Sequence, residues 1–287
     1  MTPKPEHIAG AAAILLLVLG LALYPSEWVF AVAGAGLAYG SLSPTLYSRR
    51  LLFLAGAAPH SALAAASLGA VAAALTGVGG AWISLALGLA LIYAAGYSIY
   101  RGVDPDTAAA LLAGFTASLG IAGLYLAGRT GASISTLVIG DPLLASRTEA
   151  LAVLALGVLF LAILLLLGDR IAYIGVDRED AMLSGTRVWA YDLLLYSMIA
   201  LSTVGLITVV GFILEHVLLL IPGALILPLT RGSRTAALAG GLAGSAAGVG
   251  GLILGGLAGI PPAAASGLIL MLTYLVVLLH SGVWRSG

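Results

Sequence analysis

The stretch VWAYDLLLYSMIALSTVGLITVVGFILEHVLLLIPGALILPL, Val188 to Leu229, runs for 42 residues with only Asp192, Glu215 and His216 as acidic or basic side chains. As one straight helix it would measure ~63 Å at 1.5 Å per residue, about twice the ~30 Å hydrocarbon thickness of a bilayer. The sequence therefore predicts two crossings, 188–207 and 210–229, with the turn near Gly205 to Gly211. Near the start of the second crossing stand a carboxylate and an imidazole, Glu215 and His216. Burying either in charged form costs at least ~2.5 kcal/mol, so intramembrane ionisable groups face a bundle interior, an ion path or each other. These two residues are the first candidates for function.

The rest of the chain has the same character. Of 287 residues, 61% are hydrophobic and 8% charged, with a mean hydropathy of +1.13, which excludes a soluble globular domain. Basic and acidic residues balance at 12 each, so the whole-chain charge points to no nucleic-acid partner and no polybasic lipid anchor. There is no cysteine, which removes disulfides, thiolate metal ligands and cysteine nucleophiles together. The chain has a single lysine, Lys4, so no phosphate-binding loop of the Gly-x-x-x-x-Gly-Lys type exists, and any ATP must bind another subunit.

Cutting at the Arg, Asp and Pro clusters gives ten apolar segments: 8–24, 28–47, 58–76, 81–100, 107–127, 150–167, 188–207, 210–229, 235–257 and 262–280. Each is close to the ~20 residues that span hydrocarbon. The expected fold is an all-α polytopic membrane protein of about ten transmembrane helices, a single permease-like domain over 1–287. Segment 8–24 follows only Lys4, but further spans come directly after it, so it reads as a retained helix rather than a cleaved signal. With a cytoplasmic amino terminus, ten Lys and Arg residues fall inside and only Arg129 and Arg147 outside. That asymmetry orients both termini to the cytoplasm and makes the protein multi-pass in the cell membrane. Glu215 and His216 then lie one to two turns below the outer surface. The apolar middle of the outer loop, Leu137 to Leu144, is expected to form a short half-helix ended by Pro142.

The stretch GGLAGSAAGVGGLILGGLAG, Gly240 to Gly259, carries Gly240, Gly244 and Gly248 on one four-residue row and Gly251, Gly255 and Gly259 on another. Small residues at this spacing let helix backbones approach closely, so the rows are expected to be packing surfaces. Pro222 leaves the Leu218 carbonyl without its usual helical partner, making it a kink or an oxygen ligand.

The longest inside loop, 169–187, packs four acidic residues and three arginines. Asp177 suits a helix N-cap, Glu179 and Asp180 a first turn, and Gly185 a stop, predicting a short surface helix from Arg178 to Ser184. It is either a solvated connector or a docking element for a soluble partner.

The sequence from Val176 to Gly185, VDREDAMLSG, resembles the Phe-Asp-x-Glu-x-Ala-x-x-x-Gly signature of the permease subunits of metal-ion ABC importers of the ABC-3 type. IGDPLL (Ile139 to Leu144), VVGFILEHVLLLIPGA (Val209 to Ala224) and RRLLFLAGAAPHSAL (Arg49 to Leu63) are similar to that family's motifs in order and spacing. The family-like core covers 28–281, with 8–24 an additional helix. The resemblance implies a type II ABC importer permease-like bundle, a second copy of itself as partner, and cytoplasmic ABC ATPase subunits held through Asp177, Glu179, Ala181 and Gly185. It further implies an extracytoplasmic metal-binding protein and a divalent metal, zinc, manganese or iron, as transported substrate, with no bound cofactor of its own.

Two positions where the family pattern has an acidic residue are Gly56 and Gly259 here, whereas His60 matches and Glu215 and His216 stand where the family has small or apolar residues. Neutral imidazole and carboxylate are the strongest ligands a cysteine-free chain offers a divalent cation. His60, Glu215 and His216 are therefore the candidate metal ligands, with Glu215 and His216 receiving the cation and passing it toward His60. Adjacent residues diverge by ~100° round a helix, so Glu215 and His216 do not both point squarely into one lumen. Two structural roles stand beside this one: His60 bonded to a backbone carbonyl, and Glu215 neutral or tied to Arg129 or Arg147. Asp192 and His280 read as interfacial. Two other transport readings remain: a permease for a metal chelate, favoured by the missing carboxylates, and a secondary transporter using Glu215 and His216 as a proton relay.

Overall fold

In a computed structural model, the chain is described over residues 5–130, 138–140 and 142–280, and the side chains of Pro5, Glu6 and His280 are not among the described ones. The described residues are helical throughout, in the order α1 (Pro5–Leu23), α2 (Ser26–Ser48), α3 (Leu52–Thr76), α4 (Gly80–Tyr100), α5 (Pro105–Arg129), α6 (Arg147–Val176), α7 (Arg178–Leu183), α8 (Val188–Ile226), α9 (Ser233–Ala258) and α10 (Pro262–His280). Short 3-10 turns occupy Pro142–Leu144 and Leu227–Leu229. Of the expected half-helix Leu137 to Leu144, Leu137 and Asp141 lie outside the described residues, and Pro142 opens a 3-10 turn. Among the described residues, eight helical stretches are long and apolar enough to cross a membrane, with Val188–Leu229 counted once and α1 falling just short.

The long α8 contains one non-helical residue, Gly211, at φ 76° and ψ 157°. The turn expected near Gly205 to Gly211 is thus a single-residue break, with Gly205 inside regular helix. Near the end of α6, Asp169 binds Arg234 of α9 at 2.8 Å and also accepts a hydrogen bond from Ser233. Counting the arms of α8 on either side of Gly211 separately, and adding α1, gives the ten apolar segments expected.

The chain forms two compact units. The first comprises Met1–Arg49, Pro142–Tyr173 and Val217–Gly287. In it, α2 and α9 touch along their glycines: a Cβ on Gly36 would meet the Gly244 carbonyl, and one on Gly40 the Gly240 carbonyl. The second row of α9 faces α10, where a Cβ on Gly251 would strike Ser266. Both rows are packing surfaces, and with no hydrophobic drive between helices in lipid the close approach supplies dispersion contacts instead. Gly259 has a local reason to be glycine: it caps α9 in the left-handed region at φ 67°. At Pro222, the Gly223 N–H donates to the Ser43 hydroxyl at 2.8 Å, so a side chain of α2 takes up part of the bonding that the proline disrupts.

The second unit comprises Arg50–Asp141 and Ile174–His216. Its core gathers Ala62, Ala65 and Ala66 of α3 with Val204 and Ile207 of α8. Small residues again set helix distances: a Cβ on Gly123 of α5 would hit Ser67 of α3, and one on Gly88 of α4 would hit Val204.

Candidate functional site

Gly211 fixes the geometry of the site. Its backbone lies against Ile139 and Gly140, and a Cβ at Gly211 would collide with both; Gly140 is itself at φ 75°. Only glycine combines this left-handed conformation with so close an approach. The break re-aims the next helical turn, which carries Phe212, Glu215 and His216.

The His216 ring stands 5.4 Å from the His60 ring of α3, at 84°. Phe212 lies edge-on to both, with centroids 4.9 Å from His60 and 4.6 Å from His216. His216 Nδ1 is 2.9 Å from the Phe212 carbonyl one turn earlier. A carbonyl only accepts, so Nδ1 is the donor of this bond and Nε2 is the ring nitrogen left for a cation. A backbone bond of this kind also holds metal-ligating histidines in orientation. Two imidazoles on one tetrahedral zinc, with Zn–N of ~2.1 Å, have ring centroids about 5 Å apart. The observed separation is therefore compatible with one cation between the rings.

Of the three candidate ligands read from the sequence, the structure brings His60 and His216 ring to ring. Glu215 is fully buried and about 100° round the helix from His216. Among the described residues, no three His, Asp or Glu side chains gather closely enough to hold a metal ion, so the pair of imidazoles stands as a two-ligand arrangement. Four residues before His60, Gly56 has open space around its Cβ position. Phe212 is the member sequence reasoning passed over. Its i, i+4 relation to His216 was the available signal.

At the far end of this unit, the acidic loop folds as expected. The Asp177 carboxylate accepts from the Asp180 N–H at 2.9 Å, capping α7. Gly185, at φ 82°, ends the turn, with its N–H on Met182 O and the Thr186 N–H on Ala181 O, both at 3.0 Å. The helix closes at Leu183, one residue before the expected Ser184. Ala181 is buried against Ile174 and Val188, whereas Glu179, Met182 and Leu183 face outward, Leu183 at 87% exposure. Asp192, read from sequence as merely interfacial, is 7% exposed and binds Arg178 at 2.7 Å, tying α7 to α8. The side chain of His280 lies outside the described residues.

Residues 26–281 match the model of the ABC 3 transport family. This chain belongs to the ABC 3 transport family. The match includes His60, His216 and α7 and leaves α1 outside it. A Thermotoga maritima protein named "Probable metal transport system membrane protein" is 30% identical over 186 residues, which is 64% of this chain and 64% of that relative. Among solved structures, PsaBC from Streptococcus pneumoniae in complex with Fab superposes with a TM-score of 0.79, covering 95% of this chain and 98% of that one at 18% identity. The structure described as "An inward-facing conformation of a putative metal-chelate type ABC transporter" superposes at 0.71, covering 96% of this chain and 98% of that one at 15% identity. At such identities the superpositions establish the ABC 3 member's fold, an all-helical polytopic membrane bundle.

Proposed function

We propose that this chain is the membrane-spanning subunit of an ATP-driven importer of divalent metal ions, with His60 and His216 as a cation station within the helices. The observation that carries this reading is the imidazole pair, 5.4 Å apart, with His216 held by the Phe212 carbonyl so that Nε2 is the available donor. The family membership and the name of the Thermotoga relative support metal as cargo. Two nitrogen ligands leave positions for water or a passing partner ligand, as suits a transit site, which must bind well enough to accept the ion and weakly enough to release it. Glu215 is proposed as a buried carboxyl group beside this route, and ATP is proposed to act on separate cytoplasmic subunits that grip α7. A second copy of the chain completes the pathway, an extracytoplasmic protein delivers the metal, and both termini lie in the cytoplasm of a cell-membrane protein.

One observation favours a second reading, import of a metal chelate: the open space at Gly56 widens the α3 face beside His60. Uptake by the reconstituted transporter separates the two. Free Zn2+ should enter at a rate reduced at least tenfold by His216→Ala, and should slow as pH falls, because a protonated imidazole has no lone pair to offer. Uptake of a chelate only, unaffected by His216→Ala, would reject the metal station.

A further inference from the structure

At the end of the second unit that carries α7, α4 and the first arm of α8 enclose a groove of about 290 Å³ whose lining includes Tyr93, Tyr97, Tyr100, Trp189, Tyr196 and Asp192, with Gly96 and Leu193. Five of the eight lining residues are aromatic in a chain that is 7% aromatic, so the concentration is not set by composition. The tyrosines of α4 fall at i, i+4 and i+7, and Trp189 and Tyr196 at i and i+7, giving each helix an aromatic stripe. The Tyr196 ring packs directly on Gly96, where a Cβ would collide with it. The Tyr93 and Ser197 hydroxyls, 2.6 Å apart, bridge α4 and α8. Tyr97, Tyr100 and Trp189 are 60–65% exposed. Because α4 stops at Tyr100 and α8 starts at Val188, the groove opens where two apolar helices leave the hydrocarbon.

Exposed aromatics at that level form a common interfacial belt. Here, however, they line a cavity with a cation beside it. The one carboxylate in the lining, Asp192, is buried and already paired with Arg178. Arg101 lies next to the lining residue Tyr100, its guanidinium 6.0 Å above the Tyr97 ring. Aromatic faces attract an ammonium group, and an exposed guanidinium attracts a phosphate. A molecule that carries both and is already present at this depth is a membrane lipid. We propose that the groove binds the head group of a zwitterionic phospholipid, with the ammonium on the exposed aromatic faces of Tyr97 and Trp189 and the phosphate on Arg101.

Native mass spectrometry of the purified chain, given equal amounts of phosphatidylethanolamine and phosphatidylglycerol with identical acyl chains, tests this directly. The ethanolamine lipid should be retained preferentially. The double variant Tyr97→Ala, Trp189→Ala should weaken that retention roughly tenfold through loss of two cation–π contacts, and Arg101→Ala should weaken it as well. The matched variant Tyr97→Phe, Trp189→Phe keeps the aromatic faces and should keep the lipid, which separates a lost groove from a lost fold. Equal retention of the two lipids, or full retention by the double alanine variant, would overturn the proposal. So would displacement of the lipid by soluble phosphoethanolamine, which would make the groove a small-molecule site.

Discussion

Two glycines of α8, six residues apart, should respond to alanine with opposite signs. Gly205 lies in regular helix with open space around its Cβ position. Gly205→Ala should therefore stabilise the helix by about 0.5–1 kcal/mol, the entropic advantage of alanine over glycine. Gly211 sits at φ 76° and ψ 157°, a region open essentially to glycine alone, where another residue costs about 1–3 kcal/mol. Its Cβ would also drive into the Ile139 and Gly140 backbone, an overpacking cost of about 1–3 kcal/mol that no flexible side chain can absorb. Together Gly211→Ala should lose about 2–6 kcal/mol. At ~2–4 °C per kcal/mol, its melting temperature in detergent should fall by several degrees or more while that of Gly205→Ala rises slightly. Thermal unfolding followed by circular dichroism or by size-exclusion survival reads both. Equal shifts, or a neutral Gly211→Ala, would refute the argument that a glycine-only break aims the turn bearing His216.

Removing the α7 cap with Asp177→Ala should destabilise that short helix by about 1 kcal/mol and reduce ATPase co-purification, measured by pull-down at fixed subunit ratio. Asp192→Asn weakens the Arg178 tie between α7 and α8, so ATP hydrolysis should continue while uptake per ATP falls. Single cysteines at Gly131 and Ser233, in a chain with no cysteine of its own, should label from outside and inside respectively with an impermeant maleimide; labelling from one side only would overturn the topology.

The fold was legible where the signal was a matter of length and charge. The 42 residues from Val188 to Leu229 were too many for one crossing, and the helix is broken at Gly211. The cap at Asp177 and the stop at Gly185 could be read because each rests on local backbone chemistry, a carboxylate for free N–H groups and a residue tolerant of positive φ. The site was less legible. Adjacency in sequence drew attention to Glu215 with His216, but neighbours on a helix diverge, and the ring that His216 meets is that of His60, 156 positions earlier, a juxtaposition only the fold displays. Gly259 looked like a lost carboxylate from the motif alone, whereas its left-handed cap gives it a backbone reason. Asp192 was undervalued because its partner, Arg178, lies on a different helix.

The most direct test of the metal station is X-ray absorption at the zinc edge on the purified chain loaded with one equivalent of Zn2+. The account predicts two imidazole-type nitrogen scatterers at ~2.0–2.1 Å, falling to one in either His60→Ala or His216→Ala. A spectrum unchanged by both substitutions would mean that zinc binds elsewhere and that the two histidines meet only to pack.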